Sequence, residues 1–243
     1  GAYHGGWSLG GFAGAGVLLV LLKILSLPVN QSIWGLLIVL FIAMVVVSQF
    51  MLTFGSDPNA KVTKKSKSPL SFHPIALIFG LLSFVSYLVE GAVGDWSALY
   101  LFEDKGILIE EAVMGVMLFN GTMCIGRLLG NRLGKHLTSK QVVVGGYLLG
   151  SIAMGLIVFL PGHASMYTYL LLGISLAMIV PNLFSAMGEQ NVIPMTQAVA
   201  TSTMLGYMGI LMGPALIGFI AHGTSLTVAF IVLTTLLVVS AGI

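Results

Sequence analysis

Eight long apolar stretches limit the folds open to this chain more than any other feature of its sequence. A helix needs about 20 mostly apolar residues to cross the hydrocarbon core of a bilayer. Inside that core every backbone polar group must be bonded within the protein, and the stretches lack the period-two alternation of barrel strands. The sequence therefore predicts an all-α polytopic membrane protein with eight transmembrane helices. The spans are expected at residues 7–27, 33–54, 74–101, 112–133, 142–160, 165–187, 198–221 and 226–243.

The composition excludes several classes of protein. Only 7% of the residues are charged and 57% are hydrophobic, whereas soluble domains carry roughly 25% charged residues. The net charge of +2 is too small for the electrostatic binding of nucleic acid. The single cysteine, Cys124, excludes a disulfide within the chain, and the five histidines lack metal-binding spacing. We therefore expect no nucleic-acid partner, no metal and no cofactor.

An enzyme is not expected either. Residues 6–10 read Gly-Trp-Ser-Leu-Gly, which matches the nucleophile elbow of hydrolases. That elbow needs a strand before it and a helix after it, whereas a membrane helix begins here. No nucleophile and general base are found at one depth of the bilayer, and no phosphate-binding loop indicates ATP hydrolysis.

The charges between the spans predict the orientation of the chain. Basic residues follow the second and fourth spans, and acidic residues follow the third. Because cytoplasmic loops are enriched in Lys and Arg, the basic connections and both ends of this chain are predicted to be cytoplasmic. The basic residues are Lys61, Lys64, Lys65, Lys67, Arg127, Arg132, Lys135 and Lys140, and the acidic ones are Glu103, Asp104, Glu110 and Glu111.

The connection after the second span is the longest in the chain and divides it in two. Residues 55–72 are polar and rich in Ser and Lys, which is typical of a solvated cytoplasmic linker. Contact of its lysines with anionic lipid headgroups is the alternative, and the two interpretations are compatible. The linker separates two transmembrane helices in residues 1–54 from six in residues 73–243.

Four sequence stretches, together with this order of two helices, a linker and six helices, resemble a known transporter family. They are residues 4–11, 90–101, 126–136 and 206–218, the last reading Gly-Tyr-Met-Gly-Ile-Leu-Met-Gly-Pro-Ala-Leu-Ile-Gly. Together they resemble the major facilitator superfamily, in its fucose-permease-like branch related to sugar porters. The 126–136 stretch departs from the loop signature of the superfamily, since Asn131 stands where an Asp is usual and His136 where a second basic residue is usual.

The resemblance implies a fold and a function. The eight spans correspond to helices five to twelve of a twelve-helix transporter, so the first four helices are expected upstream of this chain. The implied function is alternating-access symport of a small polar, sugar-like solute with protons across the cell inner membrane. Two alternatives stay open: an exporter of drugs or metabolites with the same fold, and a membrane scaffold or sensor that transports nothing.

Ionisable and polar residues within the spans form the candidate site. Burying such side chains in a membrane costs free energy, so their presence indicates a function. Glu90 is the first candidate for substrate contact or proton coupling, near Gly91 and Gly94, where the long third span is expected to bend or unwind. Structural roles, such as capping, lipid-interface anchoring and bonding between helices, are the alternative for every candidate. The substrate-binding or coupling candidates are Glu90, Asn182, Asn120, Trp96 and Asp95.

Four further residues are gating candidates. Lys23 lies near the outer end of the first span, where it either extends to the lipid headgroups or pairs with Glu110 or Glu111. The resemblance places helices five and eight face to face, so such a pair is an outer gate. Arg132 lies in the 126–136 turn, and Arg127 is expected to anchor the cytoplasmic end of the fourth span.

Glycines and prolines within the spans predict how the helices pack. Glycines spaced by four leave a flat face on which a second helix packs closely. This pattern occurs at Gly6/Gly10/Gly14, at Gly126/Gly130/Gly134 and at Gly209/Gly213. Pro181 and Pro214 each remove one helical hydrogen bond, so bends are expected in the sixth and seventh spans.

Overall fold

The computed structural model describes residues 2–50, 70–133 and 137–243, and regular secondary structure within these ranges is helical throughout. The first helix, α1, continues directly into a π-helical turn at Val20–Ile24. The helices are α1 (Ala2–Leu19), α2 (Val29–Ser48), α3 (Pro74–Glu103), α4 (Ile109–Leu133), α5 (Ser139–Phe159), α6 (Gly162–Tyr167), α7 (Tyr169–Leu176), α8 (Ile179–Glu189), α9 (Met195–Gly223) and α10 (Leu226–Ala241).

These helices confirm the prediction of an all-α polytopic membrane protein. Among the described residues, six helical segments are long and apolar enough to cross a membrane, and two apolar helices are shorter. The six are Val29–Ser48, Pro74–Glu103, Ile109–Gly130, Ser139–Phe159, Gly162–Glu189 and Met195–Gly223, and the shorter two are Leu9–Ile24 and Leu226–Ala241. Most of the predicted linker and the 134–136 part of the turn after α4 lie outside the described residues.

Polar caps fix where several helices begin. His73 accepts a hydrogen bond from the backbone N–H of Ile75 with its ring Nδ1, and Pro74 occupies the first turn of α3, where its missing N–H costs nothing. Thr138 and Gln141 form a reciprocal capping box at the start of α5. Ser225 caps α10 through the N–H of Val228. Each cap satisfies backbone donors that the helix itself leaves unpaired.

The core lies in the six-helix part, where α3 packs along α9. Glycines on α9 allow this approach: a Cβ at Gly213 would lie 2.8 Å from the carbonyl oxygen of Leu88, and one at Gly209 would meet the carbonyl of Phe84. Deeper polar contact joins the same helices, since the hydroxyls of Ser83 and Ser202 are 2.7 Å apart. The close packing expected at Gly209 and Gly213 is confirmed.

The two N-terminal helices meet the rest of the protein differently. α1 packs mainly on α4, and Gly11 lies so close to Asn120 that a Cβ there would be 2.7 Å from the side-chain oxygen of Asn120. α2 makes few contacts, and Ser32 is the buried residue recorded for it. The apolar side chains of α2 therefore face outward.

The sixth predicted span is divided into α6, α7 and α8. Turns interrupt it at Thr168 and at Ala177–Met178. Pro181 has no N–H to donate to the carbonyl of Ala177, so the second interruption falls one turn before the proline. The expected bend is therefore present, displaced towards the start of the span.

The glycines of α3 do not interrupt it: the helix is continuous through Gly91 and Gly94, which corrects the expected unwinding. A Cβ at Gly91 would lie 3.1 Å from the carbonyl oxygen of Ile210, so this glycine allows close packing on α9. That carbonyl is the one that Pro214 leaves without a helical donor. At Gly6, Gly10 and Gly14, a Cβ would meet no atom of the described residues within 4 Å.

Candidate functional site

A buried ion pair joins α3 to α4. Arg127 donates from Nη2 to the carboxylate Oε2 of Glu90 at 3.1 Å, and the two side chains are 2% and 10% exposed. Glu90 lies about 24 Å along α3 from Pro74, at about 1.5 Å per residue. This places the pair near the middle of a 30-residue helix. Two opposite charges are thus paired at a depth where burying a single charge has a high free-energy cost.

The position of Arg127 corrects an expectation. Arg127 was expected to anchor the cytoplasmic end of its span, and it instead lies inside the bundle against Glu90. The sequence did contain a signal. Glu90 is about 20 Å from the end of α3 and Arg127 about 27 Å from the start of α4, at about 1.5 Å per residue. Because adjacent spans are antiparallel, a long arginine side chain bridges the remaining depth of about 7 Å.

The chemistry of this pair follows from its burial. A buried ion pair is stable only while both side chains are charged and bonded to each other. Removing a charge from water costs free energy, and in a buried pair the attraction of the opposite charge offsets that cost. Protonation of Glu90 would remove the charge that holds Arg127. The arrangement can therefore link proton binding at α3 to the position of a cation on α4.

Two tyrosines that the sequence analysis did not identify lie beside the pair. Tyr87 lies one turn before Glu90 on α3. Its ring stacks on that of Tyr207 from α9, with centroids 5.9 Å apart and planes 11° apart. Gly206 makes room for this, since a Cβ there would lie 2.7 Å from the Tyr87 ring. No spacing in the sequence relates residues 87 and 207, because the stack depends on the α3–α9 packing.

The two asparagine candidates bond within their own helices. Asn120 donates to the carbonyl of Val116 at 3.0 Å, and Asn182 donates to the carbonyl of Met178 at 2.8 Å. Both side chains are partly buried. Asn120 also lies against Gly11 of α1, so it belongs to the contact between the N-terminal helices and the six-helix part.

Trp96 and Asp95 lie further along α3. The indole Nε1 of Trp96 donates to the backbone carbonyl of Pro214 at 3.0 Å, and its ring lies on Gly218. Trp96 also lines a cleft of about 430 Å³ that includes Asp104 and His222. Asp95 is exposed. The structure does not bring either residue into bonding contact with Glu90 among the contacts that it describes.

Three of the four gating candidates, Lys23, Glu110 and Glu111, lie at the end of the bundle that carries the α3–α4 connection, here called the loop end. Lys23, in the π-helical turn, forms an ion pair with Oε1 of Glu111 at the start of α4. His163, in α6, lies with its Nε2 3.1 Å from Oε2 of the same carboxylate. The sequence analysis did not identify His163, because nothing in the sequence places α6 beside α4.

A cleft of about 500 Å³ adjoins this cluster, between the turn before α2 and the start of α4. We call it the α2–α4 cleft; it is lined by Leu22, Lys23, Ser26, Leu27, Pro28, Val29, Leu108, Ile109, Glu110 and Glu111. Glu110 thus faces the cleft beside the Lys23–Glu111 pair. The side chain of Arg132, the remaining gating candidate, lies outside the described residues.

Metal binding finds no support in the described part of the chain, where no group of three or more His, Cys, Asp or Glu side chains could hold an ion. The described polar groups of the site are instead a carboxylate, a guanidinium, phenols, amides and an indole. These side chains bind hydroxyls, protons and flat or apolar rings.

Comparison with known proteins places these features among membrane transporters. No family model matches the chain. It is 36% identical over 233 residues to a protein of Yersinia pestis named as an uncharacterized MFS-type transporter, covering 94% of this chain and 58% of that protein. It is 30% identical over 170 residues to the membrane protein MosC of Rhizobium meliloti, covering 69% of this chain and 42% of that protein.

A third relative, named as an uncharacterized transporter of Sinorhizobium fredii, is 28% identical over 159 residues, which are 64% of this chain and 41% of the relative. The chain therefore spans about three-fifths or less of the length of these curated relatives. Two of these three relatives are named as transporters, and the first of them as an MFS-type transporter, so the chain is similar to membrane transporters.

Proposed function

We propose that this chain is the larger part of a secondary transporter of the major facilitator superfamily. It contributes two helices of the first half, the linker and the six-helix second half, and it works together with upstream helices of the same protein. The solute is small, polar and sugar-like, as in the fucose-permease-like branch, and protons drive its uptake. The protein lies in the cell inner membrane with both ends of this chain in the cytoplasm.

The ion pair between Glu90 and Arg127 is the observation that carries this proposal. Ionisable residues inside a membrane are retained chiefly where they bind ions, protons or substrates. The side chain of Glu90 is 10% exposed, so the carboxylate is not wholly enclosed by the described residues. Glu90 binds the proton, which weakens its attraction for Arg127, and the guanidinium of Arg127 then binds hydroxyl or anionic groups of the solute.

The neighbouring residues supply solute contacts. Tyr87 and Tyr207 offer stacked phenol rings next to the ion pair, and amphipathic rings of this kind pack against the apolar faces of sugars while their hydroxyls donate or accept. Asn182, Asn120, Trp96 and Asp95 all lie in the six-helix half and remain proposed contacts of the solute. Lys23, Glu110, Glu111 and Arg132 remain proposed gating residues.

Glu90→Gln in the full-length protein tests the proton-coupling role. Glutamine keeps the shape of the side chain and cannot bind a proton at this position. Proteoliposomes with an inward proton gradient should lose accumulation of radiolabelled sugars and polyols by at least 10-fold, whereas exchange of solute at equal pH on both sides should persist. Glu103→Gln, an exposed position at the end of the same helix, is the matched control and should accumulate normally.

Folding must be separated from coupling in this experiment. Removing one partner of a buried ion pair costs about 3–5 kcal/mol in soluble proteins, so Glu90→Gln is compared with Glu90→Gln/Arg127→Gln by size-exclusion chromatography and thermal unfolding. Accumulation by Glu90→Gln with the pH dependence of the unmodified protein would remove Glu90 from the coupling step.

A scaffold or sensor is the second candidate, and a specific observation favours it. Glu90 is held against a fixed cation, as expected for a carboxylate with a purely structural role. The two candidates differ in the same assay. A scaffold gives no uptake of any solute in either direction, whereas an exporter of the same fold transports only when the gradient is reversed.

A further inference from the structure

We propose that Glu111, Lys23 and His163 form a proton-sensitive latch that holds the loop end of the bundle closed at acid pH. One carboxylate here is contacted by a lysine and a histidine from two other elements. Lys23 reaches Oε1 from the π-helical turn after α1, and His163 lies 3.1 Å from Oε2 from α6. A single side chain of α4 therefore connects three segments that are far apart in the sequence.

The latch is placed where the two parts of the protein meet. α1 packs on the six-helix part chiefly through α4, and the Lys23–Glu111 pair lies at the loop end of that contact. The α2–α4 cleft opens beside it and is lined by both residues. Separation of the π-helical turn from α4 would widen this cleft, and the ion pair opposes that separation.

Histidine provides the pH dependence. Its side chain changes charge between about pH 5 and 8. With His163 protonated, the cluster contains two cations, Lys23 and His163, and two anions, Glu110 and Glu111. With His163 neutral, the same cluster carries one excess negative charge, and Glu111 is held by Lys23 alone. The latch is therefore tighter on the acid side of this range.

Other charges at the loop end are held by different partners. Lys105 donates to the carbonyls of Val158 and Leu160 at the end of α5, and burial lowers the pKa of Lys105. Asp104 accepts a hydrogen bond from Thr227 at 2.8 Å. α2, which begins beside the cleft, has no charged residue along Val29–Ser48. His222 lies in the separate cleft that includes Trp96 and Asp104. Among these groups, the cluster around Glu111 is the one that joins α4 to the π-helical turn after α1.

Exposure of the cluster makes the switch respond to bulk solvent. The side chains of Lys23 and His163 are 46% and 58% exposed, and that of Glu111 is 26% exposed. Protons and salt reach all three, so high ionic strength should weaken the latch as it weakens other surface pairs. The role of this latch in transport rests on the proposed function, whereas its opening and closing does not.

Distances between spin labels test the latch without any substrate. Nitroxide labels at Gln31→Cys and Leu108→Cys lie on exposed positions on either side of the α2–α4 cleft, and Cys124 is buried. In the full-length protein in lipid nanodiscs, double electron–electron resonance should give one short distance at pH 5.5. At pH 8 a longer component should grow at least threefold, and 1 M salt should increase it at pH 5.5.

Two variants of His163 make the test decisive. His163→Gln should show the longer component at both pH values, and His163→Lys, which keeps a cation at pH 8, should retain the short distance at both. A pH-dependent distance that survives in His163→Gln, or an unchanged distance between pH 5.5 and 8 in the unmodified protein, would overturn the proposal. The transporter proposal fails separately, through absence of uptake in proteoliposomes.

Discussion

α2 and α3 are both long and apolar enough to cross a membrane, but they are held in place differently. In the most apolar stretch of α2, 6% is buried against the described residues. In the corresponding stretch of α3, 50% is buried. α3 meets α9 through glycines and paired serines, and α2 presents its side chains outward. The comparison teaches that apolar length alone does not place a helix in the packed core: among the described residues, α3 has close neighbours and α2 has few.

Leucine truncation should give the largest difference between the two parts. Leu88 of α3 is fully buried, so Leu88→Ala leaves a cavity and should lower the free energy of unfolding by about 2–5 kcal/mol. Leu40 of α2 is 58% exposed. In this chain on its own, Leu40→Ala should change the free energy of unfolding by less than about 1 kcal/mol, because mobile lipid or detergent tails fill the space. Unfolding in mixed micelles of increasing SDS content measures both, and equal losses would end the distinction.

Adding a methyl group should lower the stability of the protein when it is placed on α9 and leave it unchanged or raise it when it is placed on α2. A Cβ at Gly209 meets the backbone carbonyl of Phe84, so Gly209→Ala should destabilise the protein by about 1–3 kcal/mol through overpacking. A Cβ at Gly35 of α2 meets nothing within 4 Å. Gly35→Ala should be neutral or stabilise by up to about 1 kcal/mol, because glycine weakens a helix relative to alanine. Thermal unfolding of the two variants side by side checks the sign, and a stabilising Gly209→Ala would contradict the packing of α3 on α9.

Two tryptophans should show the smallest difference in stability between the two parts. Trp96→Phe removes the donor to the Pro214 carbonyl and should cost about 0.5–1.5 kcal/mol. Trp34 of α2 is 66% exposed, and Trp34→Phe keeps an aromatic ring in the same outward position, with a change below about 0.5 kcal/mol expected for an exposed site. The apparent melting temperature of each variant, measured in the same detergent, compares them. Equal shifts would indicate that the indole–carbonyl bond contributes nothing.

Much of the fold was predictable from the sequence because a bilayer permits few solutions. The positions of the spans, the start of α3 at Pro74 and the bend near Pro181 follow from apolar length and from proline chemistry. The glycine stripes were predicted unevenly. Gly209 and Gly213 pack on α3, whereas a Cβ at Gly6, Gly10 or Gly14 would meet no atom of the described residues within 4 Å, and nothing in their spacing distinguishes the two cases.

The candidate site was predictable only in part. Glu90 stood out as a charge inside a span, and an ion pair of Lys23 with Glu110 or Glu111 was one of two alternatives, of which the structure has Lys23 with Glu111. Arg127 was assigned to the end of its helix, and Tyr87, Tyr207 and His163 were missed. The contacts of these residues depend on which helices are neighbours in the fold. The sequence of a single span does not specify its neighbours.

The sequence by itself determined that the chain forms apolar helices that cross a membrane, because backbone polar groups in hydrocarbon must bond within each helix. The tertiary structure decided which faces of those helices meet, and therefore that Arg127 lies against Glu90 and that Glu111 holds both Lys23 and His163. The physical reason is that lipid and protein core are both apolar. A membrane helix consequently has no strong amphipathic pattern to indicate its buried side, and only packing of small residues and pairing of charges identifies it.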